Sequence, residues 1–218
     1  MHEESGPPRH IAVEGPIGVG KTTLARRLAD TFNHETLLEE ANDNPFLERF
    51  YAEGRSNALP TQLHFLLQRI EQLRRWRRDD LFRPALVTDF LMEKDHLFAE
   101  VTLDEDEFAL YDQLYHQLAI EAPTPDLVVY LQAPPTVLQA RIRQRAIPAE
   151  RHIDDDYLES LVEAYARFFH FYDAAPLLIV NAAEIDLVND HEQYERLVEV
   201  VRGARSPRSY FNPQPSLI

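Results

Sequence analysis

Gly15-Pro16-Ile17-Gly18-Val19-Gly20-Lys21-Thr22 decides how this chain is read. The stretch fits the phosphate-binding pattern G-x-x-x-x-G-K-[ST], and its setting is the one that pattern requires. An apolar run, His10-Ile11-Ala12-Val13, precedes it, and a helical pattern over residues 23–29 follows. Glycines let backbone N–H groups converge on phosphate oxygens, and the start of a helix adds the positive end of its dipole. Lys21 is expected to reach the β and γ phosphates of a nucleotide, and the Thr22 hydroxyl to bind Mg²⁺. Gly15, Pro16, Ile17, Gly18, Val19, Gly20, Lys21, Thr22 and Thr23 are the candidate ATP-binding residues.

Outward from that loop, apolar β-rich runs alternate with helical patterns. The strand candidates are residues 10–13, 35–38, 85–88, 127–131 and 177–180, several of them nearly continuous apolar runs, as strands covered on both faces are. Helix-compatible spacing occupies residues 23–32, 45–52, 61–78, 105–122, 136–145, 156–174 and 191–201. The alternation predicts an α/β fold of the P-loop NTPase kind, with a five-stranded parallel sheet and helices on both faces. Ligand sites in such folds lie at the carboxyl ends of the strands. One domain is expected over residues 9–203, with residues 204–218, which carry three prolines and little periodicity, as a loose tail.

Composition narrows the function class. The net charge is −15, which argues against general affinity for nucleic acid or anionic membrane. The basic cluster Arg74-Arg75-Trp76-Arg77-Arg78 ends a long helical pattern, where cations complement the helix dipole. Cysteine is absent, so no disulfide and no thiolate metal site can form. The first eight residues lack the basic and apolar regions of a signal peptide, and no apolar run approaches a bilayer span, so a cytoplasmic protein is expected. The acidic run Asp104-Glu105-Asp106-Glu107 reads as a helix start, and the aromatic residues over 165–172 recur at core spacing. The nine histidines show no zinc-binding spacing.

Phosphoryl transfer needs a phosphate cradle, Mg²⁺, cations for the moving charge and a group to orient the nucleophile. Arg141-Ile142-Arg143-Gln144-Arg145, ahead of the irregular stretch 146–152, reads as an arginine lid; Arg141 and Arg145 share one helix face. Glu39-Glu40 ends the second strand, where a carboxylate could take the proton of an attacking hydroxyl. Asp89 ends the third strand and suits either Mg²⁺ or the N-cap of a following helix.

In this order of motifs the chain resembles the deoxynucleoside kinases, most of all the bacterial deoxyadenosine/deoxyguanosine kinase branch, from about Ile11 to Asn181. Leu38-Glu39-Glu40-Ala41-Asn42-Asp43-Asn44-Pro45-Phe46-Leu47 looks like the family's base-bearing segment. The resemblance implies Glu40 as general base, with Glu39 in that role if the register differs by one. It implies that Tyr51 and Glu150 contact the sugar 3′-hydroxyl, that Gln62 pairs with the nucleobase, and that Phe98 packs on it. Residues 181–184 match the stretch beside the adenine of ATP. Two departures stand out. The family has Glu-Arg-Ser or Asp-Arg-Ser where this chain has Thr88-Asp89-Phe90, and Lys94 or Arg69 is the candidate replacement for the missing arginine; Ile147 replaces a further lid arginine. The resemblance implies an ATP-dependent, Mg²⁺-requiring homodimeric kinase that phosphorylates the 5′-hydroxyl of a deoxynucleoside, purines favoured. Glu40, Lys21, Arg141, Arg143 and Arg145 are its expected catalytic residues. A thymidylate-type monophosphate kinase and a nucleotide-binding accessory protein without turnover are the rival readings.

Overall fold

A computed structural model describes residues 6–78, 84–118, 122–185 and 190–213. Its centre is a six-stranded sheet in the order β2-β3-β1-β4-β5-β6, every pairing parallel. The strands are β1 (His10–Glu14), β2 (Glu35–Leu37), β3 (Leu86–Thr88), β4 (Leu127–Gln132), β5 (Leu177–Asn181) and β6 (Arg208–Phe211). The helices are α1 (Lys21–Phe32), α2 (Leu47–Glu53), α3 (Ala58–Arg78), α4 (Glu93–Thr102), α5 (Glu105–Leu118), α6 (Pro135–Arg145), α7 (Asp155–Phe171) and α8 (His191–Gly203).

The alternation of side chains along a strand explains why the central strands are apolar throughout. Ile11 and Val13 of β1, with Leu127, Val129 and Leu131 of β4, face one core built on Leu24 and Leu28 of α1 and Leu197 and Val201 of α8. Ala12, Val128 and Tyr130 face the opposite core, where Tyr165 and Phe169 of α7 stack on Tyr130. A third core, centred on Tyr111, Leu66 and Ile70, holds α3 and α5 together and forms the floor beneath the acceptor side of the site.

Three expectations need correction. The sheet has six strands, because residues 208–211 pair in parallel with β5, so this stretch is not a loose tail. Its four residues, flanked by Pro207 and Pro213, are too short for an alternation to register, yet Phe211 is buried in the α1/α8 core. Residues 214–218 of that expected tail, and residues 119–121 of the expected helix 105–122, lie outside the described residues, as do the side chains of Arg77 and Arg78. Second, α4 has no counterpart among the anticipated helices. Lys94 and Asp95 sit buried on it and break its apolar period. Third, Asp89 is not an N-cap, since the next helix begins four residues later with Met92 at its cap. The acidic run does begin a helix: the Glu107 N–H donates to Asp104 Oδ1 at 2.9 Å.

Candidate active site

β1 delivers the chain to the phosphate loop, and the loop's shape follows from its glycines. Gly15 has φ +146°, and a Cβ there would lie 2.5 Å from the Leu131 carbonyl oxygen of β4. Gly18 has φ +83°, and a Cβ would meet Ile142 of α6 at 2.8 Å. Backbone in this conformation, pressed this close to its neighbours, accommodates glycine alone. The first turn of α1 has no side-chain cap, so its dipole end faces the loop unblocked. Lys21 Nζ donates to the carbonyls of Gly15 at 2.7 Å and Pro16 at 3.2 Å. Burial first, and then the nearby Lys94 charge, bring the Lys21 ammonium down to about 8.

Beside the loop, Asp89 ties two halves of the site together. Its Oδ2 accepts the Thr22 hydroxyl at 2.5 Å and its Oδ1 accepts the Glu39 N–H at 2.7 Å. Thr22 and Asp89 thereby present hard oxygen donors at the loop's mouth, a donor set that suits Mg²⁺ bound through few protein ligands. The acceptor pocket opens from this point. Ile17, Gly18, Lys21 and Thr22 line one wall, and Glu39, Tyr51, Gln62, Arg69, Asp89, Lys94, Phe98, Arg145 and Glu150 line the rest. Residues from seven separate parts of the chain therefore converge on one pocket.

Glu39, not Glu40, occupies this pocket. Glu40 is exposed and lies in a different hollow at the sheet edge, while its carbonyl accepts from Gln68. The reason is the turn after β2: the Asp89 carboxylate captures the Glu39 N–H, which points the Glu39 side chain inward. Arg69 bonds Glu39 Oε1, and Lys94 Nζ bonds Glu39 Oε2 at 3.1 Å. Arg69 also bonds the fully buried Asp95, so one guanidinium bridges two carboxylates. Burial opposes the charge on Glu39, but Arg69, Lys94 and Lys21 prevail and hold its carboxyl well below the usual carboxylate range.

The remaining candidates fall into place around that acid. Gln62 is buried, and its Nε2 donates to Thr102 Oγ1 at 3.2 Å, fixing the amide at the pocket floor. Tyr51 packs against Phe50 and Tyr157, and Phe98 lies edge-on to Tyr165. Phe90, at the position where the resemblance implies arginine, is buried in the α3/α5 core instead of reaching the pocket. The three lid arginines diverge. Arg145 pairs with Glu150, Nη2 to Oε1 at 2.6 Å, at the pocket rim. Arg141 donates to the carbonyls of Ala182 at 2.7 Å and Val19 at 3.3 Å, joining the loop to the end of β5. Arg143 is exposed and lines a hollow behind the lid with Gln139 and Arg151. Val19 is a core residue, and Thr23 is exposed on α1.

Sequence reasoning missed Asp95, Tyr157 and Glu14. The adjacency of Asp95 to Lys94, itself a candidate, was the available signal for the first. Nothing in the local sequence marks Tyr157, which reaches the pocket from α7 only through the tertiary fold.

Comparison with known proteins identifies the family. The deoxynucleoside kinase family profile matches residues 11–204. The chain is 32% identical over 197 residues to deoxyguanosine kinase of Bacillus subtilis, covering 88% of this chain and 95% of that one. It is 28% identical over 201 residues to the deoxyadenosine/deoxycytidine kinase of the same organism, covering 88% and 90% respectively. The solved structure of deoxyadenosine kinase from M. mycoides matches with a TM-score of 0.76 at 23% identity, over 89% of this chain and 97% of that one, and shows the same fold. No helix among the described residues is long and apolar enough to cross a membrane. The chain belongs to the deoxynucleoside kinase family: it is a phosphotransferase that binds a nucleoside triphosphate donor and a deoxynucleoside.

Proposed function

We propose that the donor is ATP and that its γ-phosphoryl passes to the 5′-hydroxyl of a purine deoxynucleoside, with Glu39 as general base. One observation carries this reading: the Glu39 carboxylate shares a pocket with Lys21 and the phosphate loop, and two cations hold it ionised. Gly15–Thr22 cradles the donor phosphates, and Lys21 with Arg145 faces the charge that builds on the moving group. Thr22 and Asp89 would hold Mg²⁺, which neutralises phosphate charge when bound. Glu39 accepts the proton as the 5′-oxygen bonds to phosphorus and the bond to ADP breaks. Tyr51 and Glu150 bind the sugar, Gln62 reads the base edge, and Phe98 packs on its face. Arg69 and Lys94 take over the position left by Phe90: between them they hold both oxygens of the base. Arg141 acts through the loop it braces, and Arg143 would reach the donor only after the lid moves.

The purine preference rests on the names of relatives, deoxyguanosine kinase and deoxyadenosine kinase among them. A homodimer and a cytoplasmic location complete the reading.

The pocket disfavours a phosphorylated acceptor. Arg69 and Lys94 are already engaged by Glu39 and Asp95, and Asp89 and Glu150 add two more carboxylates, so a second phosphate would meet little free positive charge. Turnover with ATP, Mg²⁺ and a panel of deoxynucleosides and monophosphates, followed by ADP release, tests this. Deoxyadenosine and deoxyguanosine are expected to lead the panel. Faster reaction with a monophosphate overturns the reading, and ATP binding without turnover on any acceptor would assign the chain an accessory role.

A further inference from the structure

We infer that Glu14 is a positioning residue that fixes the phosphate loop against the acceptor wall. Glu14 is the last residue of β1 and is fully buried. Its Oε2 accepts the Gly15 N–H and the Tyr165 hydroxyl, each at 3.0 Å, and its Oε1 accepts the Leu91 N–H at 2.8 Å. All three donors are uncharged. Burying a carboxylate is costly even when it is hydrogen-bonded, and packing alone is met by apolar residues at this depth, as at Ala12 and Val13 of the same strand.

The three donors belong to the three parts that must be held in register for transfer. Gly15 is the root of the phosphate loop, and its carbonyl in turn holds Lys21. Leu91 lies two residues beyond Asp89, which grips both Thr22 and Glu39. Tyr165 stands on α7, whose first turn carries Tyr157 into the acceptor pocket. Two carboxylates therefore secure the loop at opposite ends, Glu14 at Gly15 and Asp89 at Thr22, and both fasten it to the same short segment, residues 89–91. That segment also orients the base. A displacement of 1 Å between reacting groups lowers rates by about 100-fold, so a brace in this place acts on the chemical step.

The variant Glu14→Gln keeps the size and shape of the side chain but offers one acceptor oxygen where two are needed. The Gly15 and Leu91 N–H groups are bonded to different oxygens, so either amide orientation sets an N–H against one of them. At a temperature where circular dichroism shows both proteins folded, Glu14→Gln is expected to lower kcat by about 10-fold or more, with KM for ATP and for the preferred deoxynucleoside changed by less than about threefold. Tyr165→Phe removes one bond of the three and is expected to lower kcat by about two- to fivefold with the same KM pattern. A lowered Tm with kcat unchanged in Glu14→Gln would overturn the inference and leave Glu14 a fold brace only. If Glu14→Gln does not fold, Tyr165→Phe decides by the same criterion: unchanged kcat overturns the positioning role. Because both variants are compared with the active parent enzyme, failure here leaves the kinase assignment untouched.

Discussion

The donor side and the acceptor side of this site are built by opposite strategies. The proposed donor side is eight consecutive residues, and its shape is dictated by glycines with positive φ, two of them pressed against their neighbours. The acceptor side is a ring of side chains from the turn after β2, α2, α3, α4, the lid and α7, held in place by ion pairs instead of by backbone conformation. A contiguous backbone device survives sequence divergence as a readable pattern. An assembled side-chain device can exchange its parts so long as charge and reach are kept. Position 90 would be such an exchange: where the resemblance implies arginine, Phe90 joins the core, and Arg69 and Lys94 converge on Glu39 from α3 and α4.

If Lys94 is one of those exchanged parts, removing its charge should harm catalysis more than binding. Lys94→Met is expected to lower kcat by about 10- to 100-fold, toward the lower end of the range for losing a preorganised charge, with a smaller effect on KM. Lys94→Arg should recover part of the loss. Steady-state kinetics at saturating ATP would check this, and a KM-only effect would place Lys94 in nucleoside binding alone.

A smaller effect sharpens the donor half of the comparison. The free protein's Lys21 titrates near 8, lowered by burial and by Lys94, whereas bound phosphates favour its charged form. ATP binding near pH 8 should therefore take up about half a proton, and affinity should weaken by up to about tenfold per pH unit above that point. The sign is fixed by linkage: the complex binds more protons than the free protein, so binding is lost as pH rises. Calorimetry in two buffers of different ionisation enthalpy measures the uptake. Proton release in place of uptake would mean that another group governs the pH dependence.

The same contrast explains how much was legible beforehand. The core strands and the loop could be read because hydrophobic runs and glycine spacing are local signals. β6 could not, since a four-residue edge strand between prolines carries no period. α4 was hidden because its buried Lys94 and Asp95 serve the site and break the apolar pattern. The choice between Glu39 and Glu40 was beyond sequence, because it depends on which N–H the Asp89 carboxylate captures 50 residues away. The resemblance narrows the proposed base to a pair of residues, and the hydrogen bond selects the member that faces the pocket.

That selection is the central claim, and paired turnover measurements on Glu39→Gln and Glu40→Gln test it most directly. The account predicts that Glu39→Gln lowers kcat by about 10²–10⁴-fold while ATP binding persists, and that Glu40→Gln stays within about twofold of the parent. A large loss in Glu40→Gln with Glu39→Gln near the parent rate would contradict it.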